Sequence, residues 1–362
     1  MADGGGPCHP QTRRSGKPVP LTPGRSGTYD AAMAAVTADV KVTLWGLLWG
    51  LFRSLRPKQA AKNGLILVPL FFTVDKWWDT ADIAGMASLL GRSVGALLLF
   101  TALSGAVYMV NDIMDVDRDR AHPTKRNRPV AAGALPIRVA WVVAVAFGLG
   151  AMSLAFMVRP EFGYAALAYA ALNVAYSFTL KHIVILDVMS VAAGFVLRAA
   201  AGTLAIDHTV LRRDGAGAVL DLTISPWLYV VTAMGALFIA LAKRRSELAA
   251  AGESSSQQRS ILSEYSVALL DQMIAVVAPA TLIAYTLYTF GSGIGGSPNI
   301  PANNSMMLTV PFVAYGLFRY LYLLHKHNRG EAPEEILLSD RPLLINIGLW
   351  LLTAAAALLF TG

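Results

Sequence analysis

Residues Asn111-Asp112-Ile113-Met114-Asp115-Val116-Asp117-Arg118-Asp119 set four carboxylates directly behind the apolar run Ser93 to Val110. At helical spacing Asp112, Asp115 and Asp119 fall at i, i+3 and i+7, and Asn111, Asp115 and Asp119 at i, i+4 and i+8. One helix face therefore carries an acidic stripe headed by an amide. Asp117 and Arg118 point off that face, and Asp117 is expected to pair locally. Hard cations such as Mg²⁺ bind through one or two carboxylates and share their remaining ligands with substrate phosphates. Acids are costly at a membrane edge and topology does not require them, so a functional role is expected. With Arg118, Lys125, Arg126 and Arg128 close behind, the stripe suggests a Mg²⁺-pyrophosphate site. Asn111, Asp112, Asp115 and Asp119 are its candidate metal ligands, and Asp112, Asp115 and Asp119 its catalytic carboxylates.

Two further segments bring cations suited to phosphate oxygens. In Tyr176-Ser177-Phe178-Thr179-Leu180-Lys181-His182, Lys181 is the natural phosphate ligand. Arg198 follows inside an apolar run, where a bare charge is expensive, and needs a partner or an anionic ligand. Asp187 shares its face but lies about three turns earlier, too far to touch along one straight helix. Lys243, Arg244 and Arg245 leave another apolar run together, and a polar loop leads on to Arg259 and Tyr265. For Glu247, at i+4 from Lys243, a local salt bridge competes with a ligand role. Arg56, Lys58 and Lys62 stand just before the first apolar run, at headgroup level. The candidate substrate-binding set is Lys58, Lys125, Arg128, Tyr176, Lys181, Arg198, Lys243, Arg244, Arg245, Glu247 and Arg259. His325 to Arg341 is charged in both signs and reads as a solvated loop.

The elements that position these groups are membrane helices. The chain is 55% hydrophobic and 15% charged, with a mean hydropathy of +0.51, outside the range of ordinary soluble domains. Apolar stretches recur at Gly64–Val74, Ser93–Val110, Val139–Val158, Phe162–Leu180, Ile183–Ile206, Pro226–Ala242, Val267–Phe290, Met306–Leu324 and Leu343–Phe360, nine candidate spans. Most approach the ~20 residues a bilayer core requires; the first is short. With a cytoplasmic N-terminus, one face receives the N-terminal cations, the loop 111–138, Lys181, Lys243 to Arg245, Arg259, Lys326, Arg329 and Arg341. The opposite face receives only Lys76, Arg92, Arg159, Arg212 and Arg213. The net charge of +7 is thus a topology signal, with no nucleic acid needed to explain it. The acidic stripe and its cations are expected at the cytoplasmic face of the plasma membrane.

One cysteine, Cys8, excludes an internal disulfide or a cysteine metal site. Residues 1–38, rich in Gly, Pro, Ser and Arg and lacking an apolar core, read as a disordered cytoplasmic tail rather than a cleaved signal. Residues 39–62 read as an amphipathic interfacial helix, with Leu44, Leu47, Leu48, Leu51, Phe52 and Leu55 at helical spacing beside Trp45 and Trp49. Residues 63–362 form the nine-helix transmembrane catalytic domain. The expected fold class is all-α and polytopic, and a homo-oligomer is left open.

The stripe N-D-x-x-D-x-x-x-D followed by H-P-x-K-x-x-R-P resembles the first signature of the UbiA-like intramembrane prenyltransferase superfamily. Most of its members carry a second motif, D-x-x-x-D, between spans six and seven. Here the corresponding loop offers Lys243, Arg244, Arg245 and Glu247, which suits a substrate with an additional phosphate. Together with Y-S-x-x-L-K-H-I-V-I-L-D-V, G-F-V-L-R-A-A-A-G and L-A-K-R-R-S-E-L, the chain looks like the actinobacterial decaprenyl-phosphate phosphoribosyltransferase branch.

That resemblance implies a Mg²⁺-dependent transfer of 5-phosphoribosyl from phosphoribosyl pyrophosphate (PRPP) to decaprenyl or another polyprenyl phosphate. The product would feed cell-wall arabinan synthesis, and the prenyl tail would lie among membrane lipid. Departure of pyrophosphate from C1 through an oxocarbenium-like state calls for charge neutralisation and a held nucleophile. An acceptor phosphate, already anionic, needs positioning rather than a strong base. Prenylation of an aromatic ring from a polyprenyl diphosphate would share the first motif but want the missing aspartates. A lipid transporter would be expected to carry acids near the midplane, and here the interior ionisable groups are Arg198 and Arg319. A purely structural scaffold would leave the acidic stripe unexplained.

Overall fold

The computed structural model describes residues 44–56, 61–73, 82–121, 125–206, 225–251, 260–290, 300–327, 336 and 339–360. The expected tail at 1–38, the start of the interfacial helix, Lys58 and Arg259 lie outside these residues. Every regular element among them is helical. In chain order they are α1 (Leu44–Ser54), a 3-10 segment (Ala61–Leu67) running into α2 (Val68–Phe71), α3 (Ile83–Met114), α4 (Val116–Ala121), α5 (Ile137–Val158) and α6 (Pro160–Phe178). Then come α7 (Leu186–Ile206), α8 (Pro226–Ala251), α9 (Val267–Tyr288), α10 (Val310–His327) and α11 (Arg341–Phe360).

Among the described residues, seven helical stretches are long and apolar enough to cross a membrane: α3, α5, α7, α8, α9, Ser305–Lys326 and α11. The other two expected spans behave differently. α6 has the length, 19 residues, but Glu161, Asn173 and Ser177 dilute its hydropathy. The first expected span, Gly64–Val74, is described only as far as Thr73, and in that stretch Ala61–Phe71 forms a short apolar helix. It packs on α7, where a Cβ on Gly202 would collide with the Ile66 carbonyl oxygen. Gly202→Ala should therefore lower the midpoint of thermal unfolding in detergent by several degrees, because the obstacle is backbone and cannot rotate away. An unchanged midpoint would mean that the segment does not sit against α7.

The expected interfacial helix, 39–62, is described from Leu44. It ends at Ser54, and Arg56 has φ 51, a left-handed conformation uncommon outside glycine. Trp49 and Phe52 stack with ring centroids 5.7 Å apart and are both about half exposed, while Ser54 is buried. At 32 residues α3 begins well before the expected Ser93. At ~1.5 Å per residue it outruns a ~30 Å hydrocarbon core, and so delivers Asn111 and Asp112 to a membrane face.

One apolar core gathers Phe100, Phe162 and Tyr169 between α3, α5, α6 and α7. A second gathers Phe238, Leu241, Leu270 and Tyr320 between α8, α9 and α10. The segment His325 to Arg341 is not merely a solvated loop. Arg319 donates to both Asp340 oxygens at 3.1 and 2.8 Å, and Ile336 is buried.

Candidate functional site

The acidic segment does not form one uninterrupted helix face. α3 stops at Met114, Asp115 is its C-cap with φ −95 and ψ 10, and the chain restarts as α4. That break sorts the carboxylates into two sets. Asp112 and Asp119 turn inward and are buried. Arg128 bridges them, donating to Asp112 Oδ1 at 3.1 Å and to Asp119 Oδ2 at 2.6 Å. Arg56, at the end of α1, also donates to Asp112 Oδ1 and lies 4.8 Å from the Tyr108 ring centroid. Two buried carboxylates and two guanidiniums thus neutralise one another, which is how such groups tolerate removal from water.

Asp115 goes the other way. It lines a groove of about 740 Å³ between α3, α5 and α6, together with Asn111, Asp117, Arg118, Ser177 and Lys181. The expectation that Asp117 and Arg118 point away from the working face is corrected, since the helix break swings both to the groove mouth. Asp117 does pair locally, with Arg120 at 3.5 Å. Deeper in, the groove walls are apolar, with Leu103, Val107, Leu149, Met152 and Leu167 among them. Asn111 Oδ1 accepts from Ser177 Oγ at 2.7 Å, fixing the amide across the α3–α6 seam. An apolar trough with a polar, mixed-charge mouth suits an amphiphile whose head is anionic.

The donor set fits a hard divalent cation only in the open sense. Asn111 and Asp115 offer oxygens on the groove, and Asp112 and Asp119 stand behind under their arginines. No group of three or more acids, histidines or cysteines is preassembled among the described residues. Mg²⁺ asks for no such cage, since it keeps water and phosphate oxygens as ligands.

The remaining candidates divide sharply. Lys181, in a 3-10 turn (Leu180–His182), reaches the groove mouth. Lys125 lies in the turn before Arg128, whose backbone N–H donates to the Lys125 carbonyl at 2.9 Å. Tyr176 precedes Ser177 on α6 and is half-buried. Arg198 is placed elsewhere, buried at 6% exposure. It donates to Asn63 Oδ1 at 2.8 Å, the Gly194 carbonyl at 2.9 Å and Tyr169 Oη at 2.7 Å, and lies 4.7 Å from the Tyr169 ring centroid. It meets its need for partners with neutral groups, and Asn63 passes the network on to Thr101 and Ser104 on α3.

The three cations of α8 also part company. Arg244 donates to Asp187 Oδ2 at 2.8 Å and to Glu247 Oε2 at 2.6 Å. Glu247 therefore meets Arg244 at i+3 in an ion pair where Lys243 at i+4 was the expected partner. Arg245 donates to Asp271 on α9 at 2.6 Å, and His325 on α10 meets the same carboxylate at 3.3 Å. Both arginines bind helices together, leaving Lys243 as the half-buried cation of the three without an assigned partner among the described residues.

Sequence spacing missed Arg56 as a direct partner of Asp112 and Tyr265 as a partner of Asp187. Tyr265 Oη donates to Asp187 Oδ1 at 2.7 Å and accepts from the Ile185 N–H at 2.7 Å. Burial and the bond to Asp187 push the Tyr265 phenol up to about 12, so it remains a donor at neutral pH. The one sequence signal for either was proximity to a cationic cluster.

Residues 83–339 match the UbiA prenyltransferase family. The chain belongs to that family. It is accordingly an enzyme of the UbiA superfamily and a multi-pass membrane protein. It is 31% identical to the decaprenyl-phosphate phosphoribosyltransferase of Mycolicibacterium smegmatis over 320 residues, covering 87% of this chain and 94% of that protein. The enzyme of the same description from Mycobacterium tuberculosis is 31% identical over 317 residues, with 87% and 96% covered. A solved UbiA homolog from Archaeoglobus fulgidus, bound to GPP and Mg²⁺, superposes with a TM-score of 0.59 at 17% identity, covering 85% of this chain and 99% of that one. At that identity the likeness supports the UbiA fold.

Proposed function

We propose that this UbiA-family enzyme transfers 5-phosphoribosyl from PRPP to decaprenyl or another polyprenyl phosphate, releasing pyrophosphate, for cell-wall arabinan synthesis. The observation that carries the reading is 31% identity to decaprenyl-phosphate phosphoribosyltransferases across 87% of the chain. The cationic end of α8 agrees with it, because a prenyl diphosphate donor would call for aspartates there.

Asn111 and Asp115 would hold Mg²⁺ against the diphosphate, with Asp112 and Asp119 behind them. When bound, the cation supplies charge neutralisation to the departing pyrophosphate. Lys181 and Arg118 hold phosphate oxygens at the groove mouth, and Arg128 and Arg56 have further N–H groups that can donate to the same anion. Lys243 is a further phosphate ligand, with Lys58, Lys125 and Arg259 as outer candidates. The acceptor tail lies along the apolar trough of α3, α5 and α6, which holds its phosphate opposite the leaving group. Back-side attack at C1 then predicts inversion of configuration there.

Purified protein given PRPP and polyprenyl phosphate should release pyrophosphate and form a phosphoribosyl lipid, with EDTA stopping both. Transfer of a prenyl group to an aromatic acid, with no response to PRPP, would replace this reading by the aromatic one.

PRPP is a cytosolic metabolite, so the site must open to the cytoplasm. In a Cys8→Ser background, Asn127→Cys should be shielded from a membrane-impermeant thiol reagent in intact cells, and Glu161→Cys should react. The reverse pattern would put the groove mouth out of the donor's reach.

A further inference from the structure

Lys181 reaches the groove on a turn that the local sequence does not favour. Between the 3-10 turn Leu180–His182 and α7, Ile185 adopts φ 71. A β-branched residue rarely occupies that left-handed region unless its surroundings hold it there. The group that holds it is remote in sequence. Tyr265, in the segment between α8 and α9, accepts the Ile185 N–H at 2.7 Å and donates to the fully buried Asp187 at 2.7 Å. Asp187 in turn anchors Arg244 at 2.8 Å. One phenol therefore pins both the Lys181 turn and the charged end of α8. Tyr265 itself is 5% exposed, and its O–H stays protonated at neutral pH, so the pin does not loosen with ordinary changes of acidity.

We infer that Tyr265 is a positioning residue: through Ile185 and Asp187 it fixes the strained turn that holds Lys181 at the groove and registers it with Arg244. This rests on the reading of Lys181 as a phosphate ligand. The bond geometry gives Tyr265 no contact with the reacting atoms, so its effect must appear as weakened donor binding, not as slower chemistry. An ordinary packing residue would behave differently, since its loss would act independently of Lys181.

The test uses the full chain in detergent and the variant Tyr265→Phe, which keeps the ring and removes only the oxygen. The Ile185 amide should exchange with deuterium faster. The KM for PRPP should rise roughly tenfold, as for loss of one hydrogen bond to a charged group, with kcat within twofold. In a Lys181→Ala background the same substitution should add little to the KM. Ile185→Asn, which tolerates left-handed φ, should recover part of the loss in the Tyr265→Phe protein. An unchanged Ile185 amide would overturn the pin itself. Faster exchange with an unaltered KM, or effects of Tyr265→Phe and Lys181→Ala that simply add, would overturn the positioning role. Wild-type protein that fails to bind PRPP would instead sink the phosphoribosyl reading and take the positioning role with it.

Discussion

Asp115→Asn is expected to lower kcat/KM for PRPP at least a hundredfold, roughly 3 kcal/mol of transition-state stabilisation, in a protein that unfolds at an unchanged temperature. The two halves of that expectation come from the break after α3. As the C-cap, Asp115 turns to the groove, and its half-exposed side chain is in no assigned ion pair among the described residues. Its loss removes a charge facing the substrate without stranding another. Asp119→Asn should also abolish turnover but at a cost in stability, because it strips one of the two carboxylates that Arg128 bridges. Breaking a buried pair costs on the order of 3 kcal/mol. Asp117 is 91% exposed in its side chain, so Asp117→Asn should stay within about threefold of wild type, as a solvated surface charge does. Pyrophosphate release across a Mg²⁺ titration, beside thermal melts of each variant, separates the cases. Equal damage from Asp117→Asn and Asp115→Asn would refute the distinction between a metal-facing Asp115 and a solvated Asp117, and an Asp119→Asn protein that melts like wild type would refute the sorting of the carboxylates that the break imposes.

Much of this site was readable because its information is local. Hydropathy marks the helices, and the run from Asn111 to Asp119 declares itself by type and spacing within three turns. The break at Asp115 was not readable. A periodic pattern assumes an unbroken helix, and it cannot show that Arg128 and Arg56, brought from other segments, meet the two buried carboxylates, Arg128 both Asp112 and Asp119 and Arg56 Asp112. The same limit hid Tyr265, whose partners lie 78 and 80 residues away. It also made Arg198 look like a ligand. An arginine in an apolar run signals need, but not whether a carboxylate, a phosphate or Asn63 and Tyr169 will meet it. Composition likewise cannot register that Gly202 lets Ile66 settle against α7.

The three adjacent cations Lys243, Arg244 and Arg245 were equivalent in sequence and should prove unequal in experiment. Arg244 is 7% exposed in its side chain and holds the fully buried Asp187 as well as Glu247. Arg244→Ala would leave Asp187 buried with a negative charge and, among the described residues, only the Tyr265 hydroxyl donating to it. Removing one partner of such a pair costs about 3–5 kcal/mol, a large share of a membrane protein's margin, so the variant should express poorly and melt many degrees lower. Any loss of donor affinity would follow from misfolding. Lys243→Ala should melt like wild type and weaken PRPP by roughly 1.5 to 3 kcal/mol, the worth of one hydrogen bond to a charged group. Arg244→Ala and Asp187→Asn together should recover part of the stability lost by Arg244→Ala alone, because the stranded charge is then gone. Equal melting temperatures for the Lys243 and Arg244 variants, with matching losses of PRPP affinity, would return both residues to the role of phosphate ligands and remove the structural division between them.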